Sequence, residues 1–220
     1  MESAAQSLPE FNTLVSKLRP DLVPIFTSKL EKFLQEVGPN AASWNAIKTE
    51  GNFKSFSKKD PEFVTLKAEH LIPFPIEKVT EVVNSYELRL KFDKVLNDAK
   101  LVKTISEVLE VARTTLPGKL LVSAREFITY RVHYWLGPDT RLDLHFSAED
   151  TDVPKNKSFV RGTVDLQATL LKREGTQTRA FFYSRVNPDL KLIPQSLIEK
   201  VAQDCVNTLK YLSEFIATQK

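Results

Sequence analysis

The hydrophobic and polar positions of this chain change period several times, and each change marks a new element. Over residues 21–37, Leu22, Phe26, Leu30, Phe33, Leu34 and Val37 recur every three or four positions, which places them on one face of a helix. Asp21 is positioned to cap that helix and Gly38 to stop it. A shorter helix is expected before it, over 9–18. The segments 44–48, 53–57 and 63–72 alternate or are rich in β-formers, with Gly51, Asn52, Asp60 and Pro61 between them, and read as a three-stranded meander. Pro73 and Pro75 end the third strand. Ile76, Val79, Val82 and Val83 then return to helical spacing, with Pro75 at a first-turn position. Helices are expected to interrupt the sheet here.

Segments 101–105 and 108–113 read as a short hairpin, and 114–123 as a linker. In the strand over 127–135, Phe127, Thr129, Arg131, His133 and Trp135 share one face, because successive side chains of a strand point to opposite sides. Gly137, Pro138 and Asp139 turn it into a strand over 141–147. Next, Val160, Gly162, Val164, Leu166, Ala168 and Leu170 alternate with Arg161, Thr163, Asp165, Gln167 and Thr169, giving one long strand with an apolar face and a wet face. Glu174 and Gly175 turn it into a strand over 178–186. Residues 194–217 form one long amphipathic helix: Pro194 lies near its first turn, Ser196 and Glu199 have capping-box spacing, and Leu197, Ile198, Val201, Ala202, Cys205, Leu209, Leu212 and Ile216 make a broad stripe. At ~1.5 to 3 kcal/mol per large apolar side chain buried, that stripe belongs against the sheet. The order predicts an α+β fold: a curved antiparallel sheet wrapped around a long C-terminal helix, with an N-terminal helix and two short helices between strands. A charged, aromatic-lined strand face under a covering helix suggests a pocket for an amphipathic ligand.

Composition narrows the picture. A chain of 220 residues can be one domain spanning 1–220, with a helical extension over about 1–40, and would bury roughly 70% of its unfolded surface. The 31 basic and 28 acidic residues leave a formal charge of +3 and are spread along the chain, so nucleic acid is not an expected partner. Weak attraction to an anionic membrane fits the same balance. A lone cysteine, Cys205, forms no internal disulfide, and residues 1–12 lack a signal-peptide pattern; a cytoplasmic, soluble monomer is expected. No run approaches the ~20 apolar residues of a membrane span. His70, His133 and His145 are isolated and more simply structural, and with Cys205 they give no metal-ligand spacing. The cluster Glu149, Asp150 and Asp152 lacks the periodicity of a calcium loop. Neither a phosphate-binding glycine loop nor a nucleophile elbow is present. No metal, no cofactor and no enzymatic activity are expected.

Several local sequences, in their order, carry a resemblance. They are Trp44 opening the first strand, Phe92-Asp93 after the helices, Ser123-Ala124-Arg125-Glu126-Phe127, Val160-Arg161-Gly162, and Ile193-Pro194-Gln195-Ser196-Leu197-Ile198. Together they resemble the START lipid-transfer family of helix-grip folds, from about Trp44 to the end. The resemblance implies a tunnel between sheet and terminal helix that holds one lipid, of the sterol or phospholipid class. It also implies an entrance loop at 114–123, where Leu116, Leu120 and Leu121 would touch a bilayer and Lys119 would meet phosphate; equally, these leucines can pack into the domain edge. Arg131 falls where several family members carry a tunnel arginine that meets the polar end of the lipid. Sterol-carrying relatives pair it with an acidic residue on the preceding strand, where an ungapped alignment here puts Ala112. Glu110 and Asp143 are then the candidate partners, since a buried guanidinium costs several kcal/mol unless it is paired. The expected ligand-binding set is Phe127, Thr129, Arg131, His133, Trp135 and Glu110. The alternative for Arg131 is an ordinary edge salt bridge worth ~0 to 1 kcal/mol. The function implied is an intracellular lipid carrier in transient contact with membranes. Alternatives are an enzyme acting on an apolar substrate through His133 and Asp143, or an interaction module whose terminal helix is moved by lipid.

Overall fold

The computed structural model describes residues 4–38, 44–118, 123–148, 153–189 and 195–219, without the side chains of 195–200. The chain begins with α1 (Phe11–Ser16) and α2 (Val23–Val37), separated by a 3₁₀ turn at Pro20–Leu22. The helix therefore starts two residues later than its expected cap. Asp21 lies inside the 3₁₀ turn, where its carboxylate accepts from the Arg19 guanidinium at 2.8 and 2.6 Å instead of capping α2.

Three strands follow, β1 (Asn45–Glu50), β2 (Phe53–Lys58) and β3 (Val64–Ile72), then α3 (Ile76–Asn84) and α4 (Tyr86–Phe92). The remaining strands are β4 (Asp98–Thr104), β5 (Leu109–Leu116), β6 (Arg125–Trp135), β7 (Thr140–Ser147), β8 (Val160–Arg161), β9 (Thr163–Glu174) and β10 (Gln177–Asn187). The chain closes with α5 (Gln195–Val206) and α6 (Thr208–Thr218). One sheet contains all the described strands in the order β1-β2-β3-β10-β9-β7-β6-β5-β4, antiparallel throughout, with β8 parallel to β6 beside that path.

Strands β4 and β6 also begin earlier than expected, at Asp98 and Arg125, and three further differences bear on the site. The linker at 114–123 starts late, because Thr114, Thr115 and Leu116 continue β5 opposite Phe127, Glu126 and Arg125. The long strand expected from Val160 is divided at Gly162. A Cβ there would come within 2.3 Å of the Phe127 ring, so the chain passes this aromatic only by carrying no side chain. The single C-terminal helix is two, interrupted at Asn207. Just after the break, the Thr208 hydroxyl donates to the Asp204 carbonyl at 3.5 Å, a local bond of the kind that bends helices. Pro194 and Ile193 lie outside the described residues.

The sheet divides two cores. On one face, α1 and α2 cover Ile128, Tyr130 and Val132 of β6, Leu142, Leu144 and Phe146 of β7, and Leu166, Ala168 and Leu170 of β9. On the other, α6 buries Leu209, Leu212 and Ile216 with Leu66, Ala68, Phe182, Val79 and Phe92. This second side is the inner face. The apolar alternation of β9 thus packs against the N-terminal helices, and its wet face turns inward. A bulge permits one exception: Arg185 pairs with Leu166 and Val186 with Val164, leaving Asp165 extra. Asp165 binds Lys32 at 2.8 Å, Arg185 at 2.8 Å and also Lys29, which fastens α2 to the sheet.

Candidate functional site

A cavity of about 150 Å³ lies between the inner sheet face and the C-terminal helices. Its apolar wall includes Leu66, Phe92, Leu116, Phe127, Phe182 and Leu212. Its polar wall follows from strand register. Glu110 faces Arg131, Arg131 faces His145, His145 faces Gln167, Gln167 faces Ser184 and Ser184 faces Leu66. One row across six strands therefore runs from charged through neutral polar to apolar. His145, Gln167, Ser184 and Leu66 of that row line the cavity, as do Asp143 and Thr169 of the adjoining row. An amphipathic ligand meets this gradient along its length.

At the charged end sits a buried ion cluster. Arg131, 3% exposed, donates through Nε to both Asp143 oxygens at 3.0 and 3.1 Å and through Nη1 to Glu110 Oε1 at 2.9 Å. Nη2 reaches Asp143 Oδ2 at 2.5 Å, Asn84 Oδ1 at 3.3 Å and the Val83 carbonyl at 3.4 Å. The Tyr86 hydroxyl is a further hydrogen-bond partner of this guanidinium, so its five N–H groups are largely taken. The Tyr86 hydroxyl donates to Glu110, and its ring lies 5.3 Å from the guanidinium carbon. His145 Nε2 is 2.9 Å from Asp143 Oδ1 and its Nδ1 is 3.4 Å from the Thr129 hydroxyl, so both ring nitrogens are engaged.

Electrostatics fixes the charge states. Burial alone would raise the Asp143 carboxyl, but Arg131 and His145 together hold it well below the usual carboxylate range. Glu110 is opposed by burial in the same way and is brought to about 2 by hydrogen bonds from His133 and Tyr86 and by the charge of Arg131. Burial works against the Arg131 cation too, and Asp143 more than offsets it, so Arg131 is raised. His145 is lowered: burial outweighs the attraction of Asp143. A neutral His145 then donates from Nε2 to ionised Asp143 and accepts at Nδ1 from Thr129.

Phe127 and Thr129, both expected at the ligand, line the cavity. Arg131 stands behind Asp143, which presents the carboxylate to the cavity in its place. Glu110, His133 and Trp135 lie outside the wall. His133 Nδ1 meets an Arg141 nitrogen at 2.9 Å and His133 Nε2 lies 3.8 Å from Glu110, while Arg141 stacks 5.9 Å from Trp135. The catalytic pairing of His133 with Asp143 is not formed. Their backbones are opposite in register, but each side chain has turned to other partners.

Ala112 faces Thr129, and the acidic partner of Arg131 on the preceding strand is Glu110, two residues away. Asp143 serves as a second partner, and an exposed edge salt bridge is ruled out by burial. Leu116 ends β5 on the cavity wall; Lys119, Leu120 and Leu121 lie outside the described residues. Sequence reasoning passed over His145, Gln167, Thr169 and Ser184 as wall residues, although Gln167 and Thr169 stand on the alternating wet face of β9. It also missed Arg89 and Asp93, which line the cavity and bond to each other at 3.4 Å. Cys205 lines the wall too, its thiol pushed up to about 12 chiefly by burial. Among the described residues no group of His, Cys, Asp and Glu is placed to hold a metal ion, and no helix is long and apolar enough to cross a membrane.

Comparison with solved structures finds the same architecture. Human StAR-related lipid transfer protein 5 superposes with a TM-score of 0.79 at 18% identity, over 91% of this chain and 98% of that one. Human STARD10 gives 0.73 at 16% identity, over 88% and 79%. A fragment of a STAR-related lipid transfer protein from Xanthomonas axonopodis gives 0.65 at 14%, over 80% and 99%. No curated protein matches by sequence. Identities this low establish the fold alone, but the family model for the START domain matches residues 25–218, and by that match the chain belongs to the START domain family.

Proposed function

We propose that this protein binds one lipid in the cavity and carries it between membranes, as a cytoplasmic carrier peripheral to membranes and without an enzymatic step. The observation that carries the reading is the row from Arg131 to Leu66, which gives a mostly apolar cavity one polar end. Holding the lipid is desolvation, worth about 0.8 kcal/mol for each CH2 removed from water. Orientation comes from the polar end. Because the Arg131 donors are largely taken by protein acceptors, the groups offered to a ligand there are the Asp143 carboxylate and the Gln167, Thr169 and Ser184 side chains. Asp143 is balanced by Arg131, and Arg89 on the same wall is balanced by Asp93, so the fitting headgroup is one without net charge, a neutral hydroxyl that can donate to the carboxylate. Arg131 acts on it through Asp143. The names of the similar structures, which are lipid transfer proteins, point the same way.

A cavity of about 150 Å³ is smaller than the ~300 to 1,000 Å³ usual for organic ligands. Loading therefore moves the cover outward, and the connection over 117–123, after the end of β5, serves as the membrane-facing entrance. An enzymatic reading through His145 and Asp143 is disfavoured because neither His145 nitrogen is free to take a substrate proton. The test is organic extraction of the purified protein, identification of the extract by mass, and transfer of that lipid between donor and acceptor vesicles. A hydroxyl-bearing neutral lipid that the protein moves supports the proposal. An empty extract with no transfer of sterols, diacylglycerols or phospholipids rejects it.

A further inference from the structure

Among the described residues, three of the most exposed large apolar side chains are Leu90 at 37%, Leu101 at 45% and Val102 at 40%. They lie on α4 and β4, which pack on one another. β4 ends the sheet order on that side, so its outer edge presents unpaired N–H and C=O groups. Residues 100–104 are all exposed, and the register slips between Leu101 and Lys103, leaving Val102 as the extra residue of a bulge. Lys100 and Lys103 bracket the two apolar residues, and neither has an acidic partner among the described residues. Lys91 adds a charge beside Leu90, paired with the exposed Glu87.

Lysines and a bulge on an edge strand are a common guard against edge-to-edge pairing. A guard alone does not account for Leu101 and Val102 between the lysines. The same segment also turns inward: Arg89, Phe92, Asp93, Val95 and Leu96 line the cavity, and Lys94 reaches over the Tyr211 ring of α6 at 3.8 Å. An exposed apolar and basic surface is thus backed directly by the cavity wall and linked to the covering helix.

We propose that this α4–β4 surface docks on an anionic bilayer, with Leu90, Leu101 and Val102 entering the headgroup boundary and Lys91, Lys100 and Lys103 over lipid phosphates. The commitment to a membrane rests on charge complementarity and on continuity with the cavity wall; its purpose rests on the carrier reading above. This face is separate in sequence from the connection over 117–123.

The full chain is sedimented with vesicles of phosphatidylcholine, with and without phosphatidylserine. Binding is expected to need phosphatidylserine and to weaken as salt rises. A lysine near an anionic surface is worth about fivefold in affinity, so Lys100→Gln with Lys103→Gln loses about 25-fold. Leu101→Ser with Val102→Ser loses about tenfold or more. Hydrogen exchange on the unmutated chain gives a readout independent of variant folding: amides of 98–104 gain protection on adding phosphatidylserine vesicles. Binding that is indifferent to phosphatidylserine, variants that bind like the parent, or unchanged exchange in 98–104 overturns the proposal. So does a dimer whose β4 amides are already protected without vesicles, which would assign the edge to a second copy. Because vesicle binding is measured without lipid exchange, docking can fail while the extracted lipid is still found, and the reverse.

Discussion

Arg131 and Asp143 are each buried, and each is the other's chief counter-charge. Removing one partner of such a pair leaves an uncompensated charge, a loss of about 3 to 5 kcal/mol. Arg131→Met should therefore lower the unfolding free energy read from a urea titration by that amount, leaving Asp143 and Glu110 without their shared cation; a loss below ~1 kcal/mol, the range of exposed pairs, would contradict the cluster. Gly162→Ala tests a different contact. Its Cβ meets the Phe127 ring at 2.3 Å and the Asn187 carbonyl at 3.0 Å, so overpacking of about 1 to 3 kcal/mol is expected, read by the same titration, with weaker ligand binding because Phe127 leaves the cavity wall.

The titrating groups of the site all push stability in one direction on acidification. His145 is depressed in the folded state, so below the ordinary 6.5 the unfolded chain takes a proton that the folded chain refuses. Stability then falls as pH drops through 6.5 toward the folded value. His70 adds the same sign. Asp143 and Glu110, depressed as carboxylates, contribute stability that is complete above about pH 4.5 and is lost as pH falls through their folded values, about 2 for Glu110. Melting temperature is expected to decline from pH 7 to pH 5, and His145→Gln to flatten part of that decline. A variant with the parent's pH profile would show that His145 titrates freely.

At the scale of elements, the alternating strands and the amphipathic helices were legible because periodicity is a local property. The breaks were not, because other elements impose them. The strand divides at Gly162, where pairing passes from β6 to β10 and the Phe127 ring leaves no room for a side chain, and Asp21 fails to cap while Arg19 claims its carboxylate. Alternation likewise separated the two faces of β9 but read the polar one as the wet one, whereas it turns inward and brings Gln167 and Thr169 to the cavity. The shared strand face of Phe127, Thr129 and Arg131 was legible from alternation, and Phe127 and Thr129 of it line the cavity. His145 and Gln167 joined it only through cross-strand register, which no single segment contains. The divided C-terminal helix carries its own expectation. Leu209, Leu212 and Ile216 anchor α6, whereas Val206 is the buried residue among the described side chains of α5. In hydrogen exchange α5 should open before α6 and gain protection when ligand is bound; equal protection of the two without ligand would remove α5 from the role of cover.

For the whole molecule, the sheet acts as a partition. The N-terminal helices fill one side with packed side chains and fix the strands through Asp165 and its three cations. The other side is left incompletely filled, and what fills it is the central question. Native mass spectrometry of the intact protein asks it most directly, alongside Thr169→Phe, which places a ring in the cavity wall. The account predicts a chain carrying one adduct of lipid mass, released on activation, and an adduct lost from the variant while the variant still folds. An unmodified mass for the parent, after purification and again after incubation with mixed-lipid vesicles, would contradict it.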